Sequence, residues 1–285
     1  MNKINIKLII ILIFFITPIV SFGQVLKTEN FTPFEKHLEI KGLTLVGMFD
    51  VEDDFLSKVE KIIESCFISG PHIDKNLQKN LINTFKSENI IQRIGTDMSN
   101  YKGGRIDEVN YPGWDNLHDN NRAVDFIWQL PKHEQDGQVL EIIEHFLHTT
   151  TVLGFFDLFP KNMWNYENNN SELIKAMNEA INNGSYNIES YHEIKNDDLY
   201  GYNLIIAQEY AYWVIITAWD YKNIFIPNAE PEWYLNNSNE LKQKNPLGYK
   251  LYNESVKKVL SKPDLELLKL MFQNDNDSNN YNSNV

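Results

Sequence analysis

The stretch from Leu199 to Trp219, Leu-Tyr-Gly-Tyr-Asn-Leu-Ile-Ile-Ala-Gln-Glu-Tyr-Ala-Tyr-Trp-Val-Ile-Ile-Thr-Ala-Trp, constrains the fold more than any other part of the chain. It predicts a helix over about 199–220 in which Glu209 is the only charged residue, with Asp198 and Asp220 the nearest others. A carboxylate in so apolar a helix is costly unless it is paired, protonated or bound to a metal. A membrane span is a poor reading, because Asn203, Gln208, Glu209 and the tyrosines interrupt the apolar run. Two readings of Glu209 remain: a structural carboxyl hydrogen-bonded to Tyr or Trp, or a metal ligand.

A second helix bears on that choice. Residues 138 to 152 read Gln-Val-Leu-Glu-Ile-Ile-Glu-His-Phe-Leu-His-Thr-Thr-Thr-Val and predict a helix over about 138–153. On a helical wheel Glu141, Glu144, His145 and His148 share an arc of about 100°, and the apolar residues occupy the opposite side. Such a face is ordinarily solvated. Here no Lys or Arg occurs between His133 and Pro160, so the Glu-to-Lys pairs of exposed helices are missing. Imidazole and carboxylate at i, i+3 and i+4 spacing are also zinc-binding groups.

Two ligands at i and i+4 on one helix, followed further along by a helix giving a Glu, is the layout of gluzincin metallopeptidases. In His-Glu-x-x-His the two histidines bind zinc and the Glu is the general base. Here the first two residue types are exchanged, giving Glu144-His145-Phe146-Leu147-His148. Glu144 and His148 therefore hold the ligand positions, Glu209 supplies the third, and His145 stands where the base would be, as base or fourth ligand. Carboxylate oxygen binds zinc, and imidazole takes up a proton near neutrality.

The chain resembles a group of secreted zincin-like proteins. They carry a Glu-Glu-x-x-His helix followed by Thr and a Gly-aromatic turn, an Ala-Met-Asp-x-Ala segment, and a helix with Glu-Tyr-x-Tyr-Trp. The corresponding residues are Glu144 to Thr149, Gly154-Phe155, Ala176-Met177-Asn178-Glu179-Ala180 and Glu209-Tyr210-Ala211-Tyr212-Trp213. The similarity runs from about Gly42 to Leu260, with His145 in place of the second Glu and Asn178 in place of the Asp. The resemblance implies a zincin-like fold and a candidate metal site, without a substrate.

The N-terminus has the three parts of a secretory signal peptide: Lys3 and Lys7, the apolar run Leu8 to Val20, and small residues at Ser21 and Gly23. Cleavage after Gly23 is expected, with export to a periplasmic or extracellular location and no integral membrane segment in the mature chain. The net charge of −13 argues against phosphate-backbone binding, so no nucleic acid partner is expected. Cys66 has no intramolecular partner and lies in the apolar pattern Val59, Ile62, Ile63, Cys66, Phe67, which predicts a buried thiol.

The expected fold class is α+β: a small N-terminal mixed sheet with helices, followed by a mainly helical C-terminal half. One zincin-like domain spans 24–272, with a mixed part at about 35–135 and a helical part at about 136–272. The pattern predicts one strand over 38–49 with Gly42 as a bulge, helices at 52–68 and 75–87, and strands at 89–94 and 122–129. Residues 95–121 read as a long functional loop or a pair of irregular strands. Further helices are expected at 171–182 and 247–260, and the polar tail 273–285 should be disordered.

Among other candidates, His118 lies in the loop Trp114 to Asp119 and His192 in a polar connection after Tyr191. His118, His192 and Glu141 are additional site candidates. His37, His72 and His133 have no constellation, and no phosphate loop, nucleophile elbow or paired-Cys motif is present. The leading expectation is an exported zinc-binding, metallopeptidase-like hydrolase acting on a peptide or protein substrate. The alternatives are a catalytically inactive binding protein on the same scaffold, and a di-metal carboxylate protein.

Overall fold

The computed structural model describes residues 25–27, 30–96, 113–131, 137–228 and 230–277. The expected signal peptide lies outside the described residues. The structure is mixed α+β, with a small sheet in the N-terminal half and a mainly helical C-terminal half. The elements run β1 (Leu26–Lys27), β2 (Lys36–Ile40), β3 (Leu43–Gly47), α1 (Asp53–Ser65), α2 (Lys75–Ser87), β4 (Ile91–Thr96), α3 (Trp114–Asn120) and β5 (Phe126–Gln129). Then follow α4 (Gln138–Thr149), a π-helical turn (Thr150–Phe155), α5 (Phe156–Leu158), α6 (Glu172–Asn182), a 3-10 turn (Glu189–Tyr191), α7 (His192–Asp197) and α8 (Leu199–Ala218). The chain continues through α9 (Lys222–Phe225), α10 (Ser238–Lys244), α11 (Pro246–Glu254), α12 (Val256–Val259) and α13 (Leu265–Asp277).

The sheet order is β1-β2-β3-β4-β5. The first two pairings are antiparallel and the last two parallel. The single strand expected over 38–49 is a hairpin. Lys41 and Gly42 have φ of 50° and 80°, the two positive values of a tight two-residue turn that reverses the chain instead of bulging it. The parallel pairing of β3 with β4 requires a crossover, which α1 and α2 supply.

Several other expectations change. Within 95–121, Gly95 and Thr96 complete β4, and Trp114–Asn120 is a helix opened by Gly113 in the left-handed region; residues 97–112 lie outside the described residues. The helix expected over 247–260 breaks at Ser255 into α11 and α12. The backbone of α13 runs on to Asp277, into the segment expected to be a disordered tail.

The helix rich in apolar residues is the centre of the molecule. α8 is apolar around its whole circumference and is packed by α4, α6, α7, α10 and α11. Two of its polar tips are satisfied inside the core: Tyr210 donates to Asn245 Oδ1 at 2.7 Å, and Thr217 Oγ1 accepts from Trp233 Nε1 at 2.9 Å. Among the described residues no helix is long and apolar enough to cross a membrane. Cys66 is buried, and burial pushes its thiol up out of the reactive range.

Candidate metal centre

Two elements bring most of the site together. α4 docks along β5, the last strand of the sheet, through side chains that fill the strand's outer edge. Gln138 accepts from the Leu130 amide at 2.7 Å and donates to the Trp128 carbonyl at 2.8 Å, and Glu141 Oε1 accepts from the Trp128 amide at 2.8 Å. That clasp sets α4 so that its apolar face, including the fully buried Ile142, Ile143, Phe146 and Leu147, enters the core. Its polar arc then faces α8 and the residue preceding β5, Asp125.

The structure brings Glu144, His148 and Glu209 together: one ligand atom from each lies within 4.8 Å of the others. Asp125, His145 and His148 form a second group by the same measure. His148 belongs to both, and its side chain is 1% exposed. Its Nδ1 is 2.9 Å from Asp125 Oδ2. On the other side of the ring Nε2 faces Glu209 Oε2 at 3.6 Å, an ion-pair distance too long for a hydrogen bond, and this buried nitrogen has no hydrogen-bond partner. The ring stands edge-on to Tyr212, one turn along α8 from Glu209, with centroids 6.1 Å apart.

His145 is held differently from a free base. Its Nε2 lies 3.1 Å from Glu141 Oε1 and its Nδ1 3.0 Å from Asp125 Oδ2, the latter too poorly aligned to form a hydrogen bond. Burial opposes the imidazolium, but the neighbouring charges of Asp125 and Glu141 outweigh it and hold His145 well above the usual histidine range. A ring that keeps its proton near neutrality has no lone pair with which to accept another.

The same balance acts on the other groups. Burial works against ionisation of Asp125, yet the two histidines hold its carboxyl well below the usual range. Burial likewise opposes charge on His148, but Glu209 and Asp125 raise it to about 10. Glu144 is pushed up to about 7 by burial and by the charge of Glu209, partly offset by the histidines. Without a cation, then, protons compensate the crowded carboxylates.

Two residues beside the site escaped sequence reasoning. Asp125 was read only as part of a strand, although a carboxylate within Ala123-Val124-Asp125-Phe126-Ile127-Trp128 is a signal of the same kind as Glu209 in its helix. Its backbone is tied to α4 through Gln92, whose amide donates to the Asp125 carbonyl at 3.3 Å and accepts from Thr149 Oγ1 at 2.6 Å. Glu232 lies in a loop with no sequence period. The Asn187 amide donates to its carbonyl, and Tyr191 donates to its Oε1 at 2.9 Å. Burial and the charge of Glu209 raise its carboxyl to about 7.

The remaining candidates lie outside both groups. Glu141 serves His145 and the Trp128 amide instead of joining a ligand set. His118 packs on Trp114, with centroids 4.6 Å apart, and lies 3.5 Å from Arg93 Nη1. His192 is exposed at the start of α7.

Comparison with protein-family models, curated proteins and solved structures finds no match to this chain.

Proposed function

We propose that the chain is an exported metal-binding protein with a zincin-like build, in which Glu144, His148 and Glu209 hold a zinc ion and the activity is metallopeptidase-like hydrolysis. The observation that carries the metal reading is the buried Nε2 of His148, which has no hydrogen bond and faces Glu209 across 3.6 Å. Ligand atoms on one tetrahedral zinc, with bonds of ~2.0–2.1 Å, stand ~3.3 Å apart, close to that spacing. A buried polar atom without a hydrogen bond is a rarity that a bound ion accounts for.

Zinc in such a site would supply a Lewis acid to polarise a carbonyl. The chain's own groups support it in defined ways. With one zinc bound, Asp125 would accept a hydrogen bond from the Nδ1–H of His148 and leave Nε2 as the metal-binding face. Glu232, raised to about 7 and hydrogen-bonded by Tyr191, is a carboxyl able to exchange a proton near neutrality.

A second reading, a non-catalytic binding protein on the same scaffold, is favoured by the pinning of His145 between two carboxylates at the position where a base would stand. Metal content measured by mass spectrometry on protein purified without chelators, beside a Glu209→Gln control, tests the metal claim. Less zinc in the variant than in the parent is the expected result; no metal in either sinks the proposal. A peptide-library screen of the loaded protein against Glu232→Gln then separates hydrolase from binding protein.

A further inference from the structure

We propose that the centre holds two divalent cations, one on each side of the His148 ring, with that ring bridging them as an imidazolate whose protons are released to solvent as the ions bind. This rests on the metal-binding reading above and extends it by a second site made of Asp125, His145 and His148 Nδ1.

The argument begins with the polar atoms that a single ion leaves unexplained. Three buried atoms of this cluster have no hydrogen-bond partner: His148 Nε2, Asp125 Oδ1 and His145 Nδ1. An ion held by Glu144, His148 Nε2 and Glu209 accounts for the first alone. The other two lie on the opposite side of the ring, around Asp125 Oδ2, which is 2.9 Å from His148 Nδ1 and 3.0 Å from His145 Nδ1. An ion there would use His145 Nδ1 and give the Asp125 carboxylate a partner. These spacings are a few tenths of an ångström shorter than the ~3.3 Å between ligand atoms on one tetrahedral zinc. Small side-chain rotations would open them.

Charge balance points the same way. Asp125, Glu141, Glu144 and Glu209 bring four carboxylates to two imidazoles. Two dications, taking the place of the protons that compensate the metal-free cluster, offset these carboxylates and the bridging imidazolate more nearly than one does. The second site has a supporting contact too, since Glu141 faces His145 Nε2 at 3.1 Å and would orient that ring as a ligand. The donor set of imidazole and carboxylate suits zinc or a neighbouring first-row dication.

The test is zinc stoichiometry by native mass spectrometry at buffered free zinc, together with anomalous diffraction at the zinc edge on crystals of the parent protein. Two ions per chain are expected, with two anomalous peaks ~6 Å apart flanking His148, the separation that a bridging imidazole with Zn–N bonds of ~2.0–2.1 Å imposes. His145→Gln should leave one peak, on the Glu209 side; Glu209→Gln should leave one, on the Asp125 side. A single zinc beside Glu144 and Glu209, unaffected by His145→Gln, overturns the two-ion proposal and leaves the one-ion reading standing. Absence of zinc from both positions overturns both. The parent measurement alone decides stoichiometry, so the proposal stays open to refutation even if a variant does not fold.

Discussion

On the proposed metal-binding reading, removing zinc should invert the way stability depends on pH. Glu144 rises from 4.5 to about 7 on folding, because burial and Glu209 disfavour its charge. A group whose folded value is raised contributes stability that is present below its unfolded value and lost as pH climbs through the folded one. For Glu144 that window is pH 4.5 to 7, and a shift of that size corresponds to ~3 kcal/mol. Glu232 acts in the same direction over the same range, and His148, raised to about 10, extends the loss from pH 6.5 upward. Asp125, held low, withdraws its contribution only in acid, below its unfolded value. The metal-free protein should therefore be most stable near pH 4 to 5 and weaker at pH 8. At ~2–4 °C per kcal/mol for a chain of this size, Glu144 alone would move Tm by ~6–12 °C. Zinc reverses the slope, because its ligands bind deprotonated, and at 100 times Kd it returns ~2.7 kcal/mol. Urea unfolding at pH 5 and pH 8, with EDTA and with zinc, reads both slopes. If the EDTA-treated protein were as stable at pH 8 as at pH 5, the crowding of carboxylates around Glu144 would not exist in solution and the reasoning would fail.

Three further outcomes are expected. Asp125→Asn should weaken zinc binding by roughly 10- to 100-fold in competition with a chelating dye, since it removes the carboxylate that faces His148 Nδ1. Gly42→Ala should cost more than ~2 kcal/mol in denaturant unfolding: the position has φ of 80°, and an added Cβ would come within 2.2 Å of the Ile82 carbonyl oxygen. Ser171→Ala, which strips the cap donated to by the Ile174 amide at 3.1 Å, should lower stability by ~1 kcal/mol without changing zinc affinity.

What the sequence made legible follows from periodicity and cost. The polar arc of α4 and the lone carboxylate of α8 could be read because each breaks a strong local pattern, and the structure does bring Glu144, His148 and Glu209 together. The helix at 75–87 was readable from Asp74, whose side chain accepts from the Asn76 and Leu77 amides. Asp125 and Glu232 were not legible as site residues. Their positions depend on which strand lies beside α4 and on a loop pinned to residues 185–187, and both are long-range facts that no local period encodes. The hairpin at Lys41-Gly42 was missed for a different reason. A single glycine in an apolar run fits a bulge as well as a turn, and the positive φ of Lys41 has no sequence signature. His145 could be placed on the right face of its helix, but its two carboxylate neighbours come from opposite directions, and only one is on its own helix.

The clasp of Gln138 and Glu141 on the outer edge of β5 has a consequence for how the centre opens. The Trp128 and Leu130 amides are held there by side chains instead of by a further strand. Amides in the buried middle of α8, packed by α4, α6, α7, α10 and α11, should exchange with solvent deuterium slowly. Those of Trp128 and Leu130 on the rim of the sheet are bonded to side chains and should exchange sooner. The site should thus join a slower-exchanging part of the chain to a faster one. Asp125 is on the fast side and Glu209 on the slow side, so an ion would enter and leave by fraying of the sheet's rim while α8 stays folded.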